Sequence, residues 1–86
     1  MSYIICFKNK AKIQVDEITG VKLKEAKANQ TAETFEIEND LFSLSGIDMI
    51  VNKTNSFNYF PFDWELLKSM EDKKANISYL ESSKLR

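Results

Sequence analysis

The sequence has no histidine, one cysteine, one proline and two glycines. Without histidine there is no Ser-His-Asp triad, no Cys-His pair and no His-ligated metal site. Cys6 alone forms neither an internal disulfide nor a cysteine zinc cluster, which favours a reducing compartment and hence the cytoplasm. So little glycine and proline excludes collagen-like and linker-like chains. Arginine is almost absent too, because eleven of the twelve basic residues are lysine and the exception is the terminal Arg86. Arg is the side chain suited to bidentate base and phosphate recognition, so a sequence-specific nucleic-acid reader is disfavoured. No apolar run approaches the roughly 20 residues that span a bilayer. No N-terminal stretch combines a charged region, an apolar stretch and a small-residue cleavage site, so no signal peptide is expected.

What is present is globular. Hydrophobic residues make up 43% and charged residues 29% of 86 positions, enough for one small domain over 1–86 and too little chain for a second. The net charge of −1 is unevenly spread. Six lysines in residues 1–30 oppose Asp16, Glu17 and Glu25, while residues 31–72 hold nine acids against Lys53 and Lys68. The middle of the chain is therefore acidic, and residues 73–86 return to positive.

Residues 3–8 and 11–15 read as two strands joined by a two-residue turn at Asn9-Lys10. That turn pairs Cys6 with Ile13 and Ile4 with Val15. It leaves Tyr3, Ile5 and Phe7 on the other face, so the first strand is apolar on both sides. Such a strand is either covered twice within its own chain or meets a second chain. Asp16 reads as an N-cap for a helix over 17–28, with Thr19, Leu23 and Ala26 on one buried stripe and Gly20 as a weakness. Residues 33–38 and 41–44 form a second hairpin about Asn39-Asp40, with Phe35, Ile37, Phe42 and Leu44 inward and Glu36 opposite Ser43. Residues 47–52 read as a fifth strand with Ile47, Met49 and Val51 on one face. Pro61 and Asp63 mark the start of a helix through WELLKSMEDKK. Residues 76–86 read as a flexible tail, a continuation of that helix or a short strand at ISYL. The order β-β-α-β-β-β-α gives an α+β domain, mainly an antiparallel sheet of about five strands with a C-terminal helix.

Half of the aromatic residues fall within FNYFPFDW, namely Phe57, Tyr59, Phe60, Phe62 and Trp64. Aromatics with polar handles are favoured at interfaces, so this segment is the candidate partner-binding surface. Its competing use is to close the core under a loop, with Trp64 and Phe60 buried and Tyr59 and Phe62 partly exposed. Glu36, Glu38 and Asp40 form a candidate acidic surface. Oxygen ligands of this kind suit Mg²⁺ or Ca²⁺, but without EF-hand spacing a solvated sheet face is the better reading. Lys8, Lys10 and Lys12 at the first hairpin can contact phosphates without sequence specificity, although edge lysines also keep strands from pairing between molecules. Cys6 falls at a core position, and a nucleophile there would need a nearby base or cation.

No catalytic, cofactor-binding or metal-binding residue is assigned. The expectation is a small non-catalytic protein-interaction module, associating as a homodimer through Tyr3, Ile5 and Phe7, with a further protein partner and no membrane. In style the chain resembles the small accessory proteins of phages and other mobile elements, being short, Lys/Asn-rich, cysteine-poor and without catalytic motifs. That resemblance implies binding and blocking a host protein, including anti-defence activity. The alternatives are a weak, sequence-nonspecific nucleic-acid binder using Lys8, Lys10 and Lys12, and a small-ligand binder beside the aromatic segment.

Overall fold

Strands β1 (Tyr3–Phe7) and β2 (Lys12–Val15) pair antiparallel in a computed structural model that describes residues 1–59 and 64–80. The Phe7 amide donates to the Ala11 carbonyl at 2.9 Å and closes a loop of Lys8, Asn9 and Lys10, with Lys10 left-handed at φ 75° and its amide donating to the Phe7 carbonyl at 2.9 Å. Asn9 Oδ1 accepts from the Ala11 amide at 3.0 Å. The expected two-residue turn is thereby corrected, and the pairs become Ile5 with Ile13 and Tyr3 with Val15. A slip of one residue exchanges the faces. Tyr3, Ile5 and Phe7 now lie with Ile13 and Val15, while Ile4 and Cys6 lie with Gln14 and Lys12.

β1 is the central strand of a three-stranded sheet, ordered β2-β1-β5. β5 spans Ile47–Asn52, the bounds expected from sequence. Cys6 pairs with Met49 and Phe7 with Ile47, so Asp48 is an extra, bulged residue. The bulge separates side chains expected on one face. Ile47 joins the core of Ile5, while Met49 packs with Ile4 and Cys6.

Helix α1 (Glu17–Asn29) begins where Asp16 accepts from the Thr19 amide at 2.8 Å. Thr19, Leu23 and Ala26 are buried as expected. Gly20 is buried with them because α1 lies directly on Tyr3. A Cβ at position 20 would sit 2.5 Å from Tyr3 Cγ and 2.6 Å from Tyr3 Cβ.

The second sheet has the order β4-β3-β6, from β3 (Ala32–Ile37), β4 (Asp40–Ser43) and β6 (Ala75–Tyr79). The β3-β4 turn falls at Glu38-Asn39, both at positive φ, one residue earlier than expected. Phe35 therefore opposes Phe42, and Glu36 opposes Leu41. The inward set is unchanged, because the register moves by two residues and preserves the faces. A 3₁₀ turn at Leu44–Gly46 leads into β5. The domain is thus α+β with antiparallel sheets, divided into two sheets of three strands. β6 is the sixth strand, and its residues replace the helix or flexible tail considered for 76–79.

Phe7, Phe35 and Phe42 stack across the two sheets, with centroids 5.3–6.4 Å apart. They join Ile5, Val15, Leu23, Leu44 and Ile47 in the main core. The other side of β1 is covered by helix α2 (Trp64–Ser69), whose Leu67 packs on Ile4 and Cys6. The helix is shorter than expected, and Ser69 Oγ donates to the Leu66 carbonyl at 2.8 Å at its end. Pro61 and Asp63, its expected start signals, lie outside the described residues.

Lys73 and Asp72 close the seam between the sheets. The Lys73 amide donates to the Gln14 carbonyl at 2.9 Å, and the Asp16 amide donates to the Lys73 carbonyl at 3.1 Å. Lys73 Nζ lies 3.1 Å from Glu38 Oε1. The Asp72 carboxylate accepts from the Gln14 amide and, at 2.7 Å, from the Ser2 hydroxyl. Those bonds hold the Asp72 carboxyl below its ordinary value of 3.8, the Gln14 amide being the largest cause. Thr19, through its hydroxyl and amide, lowers Asp16 likewise.

Two outcomes follow from this packing. Gly20→Ala gains about 1 kcal/mol of helix propensity but forces the helix off Tyr3, which costs about 1–3 kcal/mol. A net loss in urea unfolding is expected, smaller in a Tyr3→Ala background. Asp16 and Asp72 have depressed folded pKa values, so their stabilisation is complete above about pH 4 and is lost as pH falls through the lower folded values. Between pH 5 and pH 2 the urea midpoint of an Asp16→Asn/Asp72→Asn variant should fall less than that of the parent.

Candidate protein-interaction surface

The segment after β5 folds through its own polar side chains. Asn52 Oδ1 caps the 3₁₀ helix Lys53–Asn58 by accepting from the Thr54 amide at 2.8 Å. Ser56 Oγ donates to the Lys53 carbonyl at 2.7 Å, and the Tyr59 amide donates to the Ser56 carbonyl at 2.9 Å. The Lys53 amide donates to the Ser2 carbonyl at 2.8 Å, tying this helix to the start of β1. Ser56 is fully buried by these bonds. With the small polar residue inside, the neighbouring rings turn outward, leaving Phe57 55% and Tyr59 59% exposed. Closure of the core thus does not fall to these two rings. Phe60, Phe62 and the side chain of Trp64 lie outside the described residues, and so do the expectations attached to them.

Beside Tyr59 runs a groove of about 310 Å³, lined by Met49, Ile50, Val51, Asn52, Asn55 and Tyr59. Four of these six residues are consecutive positions of β5, so the groove follows the outer edge of a strand. Among the described residues β5 pairs only with β1. This groove is the feature that sequence reasoning missed. Its signal is a strand with no lysine or proline to guard its edge. A second cleft, of about 360 Å³, lies between the end of α1 and the 3₁₀ turn near Leu44. Lys27 Nζ spans part of it by donating to the Leu44 carbonyl at 3.2 Å.

The other candidate residues are dispersed. Tyr3, Ile5 and Phe7 face the chain's own core, and Ile5 has no exposed surface. α1 and the second sheet cover that face within the chain, against the expectation of a face left for a second copy. Glu36 lies opposite Leu41, Glu38 sits in the turn against Lys73, and Asp40 lies opposite Ile37. Among the described residues no group of three or more acidic or cysteine side chains is placed to hold a metal ion. Lys8 and Lys10 are exposed at the hairpin loop, and Lys12 stands across from Cys6 on β2. Burial pushes the Cys6 thiol up to about 11, opposed by nearby Lys12. The neutral thiol is a poor nucleophile. No described helix is long and apolar enough to cross a membrane. No protein-family model, curated protein or solved structure matches the chain.

Proposed function

We propose that the chain is a small non-catalytic protein-interaction module whose contact surface is the shoulder formed by Phe57, Tyr59 and the β5 groove. The observation that carries this reading is the exposure of two large rings in a turn that is already hydrogen-bonded within itself. Exposed rings leave apolar area in water, and a protein partner recovers that area as binding energy. Aromatic anchors beside a groove also match the usual composition of interface hot spots. Among the described residues the acids are dispersed and the Cys6 thiol is buried and neutral. Blocking a host protein, the role implied by the resemblance to phage accessory proteins, asks nothing more of the chain than such a surface.

The test is a pair of variants that leave the core intact. In-cell photo-cross-linking of the parent identifies the partner, and its affinity is then measured with purified proteins. Phe57→Ser/Tyr59→Ser should weaken that complex at least about tenfold, since hot-spot side chains are worth about 1–2 kcal/mol each. Lys8→Glu/Lys10→Glu/Lys12→Glu should leave it unchanged. The reverse pattern, with loss of binding to a random-sequence oligonucleotide, would replace this reading by nucleic-acid association.

A further inference from the structure

We propose that helix α2 is a lid that opens and recloses over β1 while the rest of the domain stays folded, and so gates access to Cys6. Opening does not depend on the contact surface proposed above.

The lid covers a small core of its own. Ile4, Cys6 and Leu67 form a buried cluster with Met49 and Met70 against it, distinct from the main core of Ile5, Leu23, Phe35 and Ile47. Successive residues of β1 serve the two clusters on opposite faces of the strand, so uncovering one leaves the other packed. Six residues are too few to hold a helix by its own hydrogen bonds. Among the side chains described in α2, Leu67 alone is buried, and Glu65, Leu66, Lys68 and Ser69 are exposed. A short helix with few buried contacts opens at lower cost than the core it lies on.

The residues that follow the helix set where opening stops. Asp72 is the latch, its exposed carboxylate accepting from the Ser2 hydroxyl at 2.7 Å and from the Gln14 amide. Lys73 is held by its backbone, through the bonds to Gln14 at 2.9 Å and from Asp16 at 3.1 Å. Those two bonds keep β6 in place when the latch lets go. The closed form also carries a defect at this point. Gln14 is buried, and its Oε1 has no hydrogen-bond partner among the described residues. An acceptor buried without a donor raises the free energy of the closed form, and water reaches it on opening.

Cys6 reports the motion, because it is the one thiol in the chain. Under the closed lid it is 5% exposed, and burial pushes it up to about 11. Its reaction at neutral pH therefore requires opening.

The experiment labels the full chain with methyl methanethiosulfonate and reads the product by mass spectrometry. The Cys6 thiolate attacks the reagent's sulfur, forms a methyl disulfide and expels methanesulfinate. In the parent the rate should lie well below that of the urea-unfolded chain. It should stay nearly flat across the urea concentrations that precede global unfolding, because opening one short helix exposes little surface. Ile37→Val, in the main core, should raise the unfolded population about fivefold and leave the labelling rate unchanged. Asp72→Ala should speed labelling about fivefold by removing the latch. Leu67→Ala should speed it at least about tenfold by removing the lid's buried contact. If Leu67→Ala does not fold, Asp72→Ala carries the test. A rate that climbs from the first addition of urea with the slope of global unfolding, and that rises in Ile37→Val, overturns the proposal, since Cys6 then reacts only from the unfolded chain. A parent rate equal to that of the unfolded chain overturns it too, as does an Asp72→Ala rate equal to the parent's.

Discussion

The architecture depends on one constraint, that β1 is apolar on both faces and must be covered twice. Ile4 and Ile5 are adjacent, point to opposite sides of the sheet, and both have no exposed surface. Burying each is worth about 1.5–3 kcal/mol relative to leaving it in water. One cover is built from α1 and the second sheet, which close over Ile5 through the Phe7–Phe35–Phe42 stack. The other is α2, a helix of only six residues whose Leu67 fits over Ile4 and Cys6. A short helix gains little from its own hydrogen bonds and is held mainly by this packing. A chain of 86 residues thereby places its most apolar strand at the centre and uses separate segments as two lids.

Polar contacts then fix how the layers meet. Lys73 joins the edge of the first sheet by its backbone and the β3-β4 turn by its side chain. Asp72, one residue earlier, draws together Ser2, just before β1, and Gln14 of β2. Because successive residues of one connection make all these bonds, the lid helix and the sixth strand are set by a single piece of chain. Gly20 has a comparable role on the opposite side, where the missing Cβ lets α1 lie against Tyr3.

The proposed contact surface is a by-product of the same economy. Once Ser56 fills the space beneath the 3₁₀ helix, Phe57 and Tyr59 have no core position left to occupy. They flank a strand whose other edge is used by β1. Part of the apolar area that a domain of this size fails to hide thus lies on this shoulder, where a partner can cover it.

Local chemistry was legible in the sequence wherever a signal and its target lie within a few residues. Asp16 marks the start of α1, the helical spacing of Thr19, Leu23 and Ala26 identifies its buried side, and the bounds of β5 follow from its apolar run. The α+β class follows from the order of those elements. Hairpin register was not legible. Lys10 and Glu38 take left-handed conformations that neither residue type advertises, and a strand apolar on both faces gives the hydrophobic pattern nothing by which to choose. The bulge at Asp48, the pairing of residues 75–79 with β3 and the outward turn of Phe57 and Tyr59 were likewise decided only in the tertiary structure. Each depends on which distant residues already fill the core, and that competition for buried volume cannot be read from neighbours along the chain.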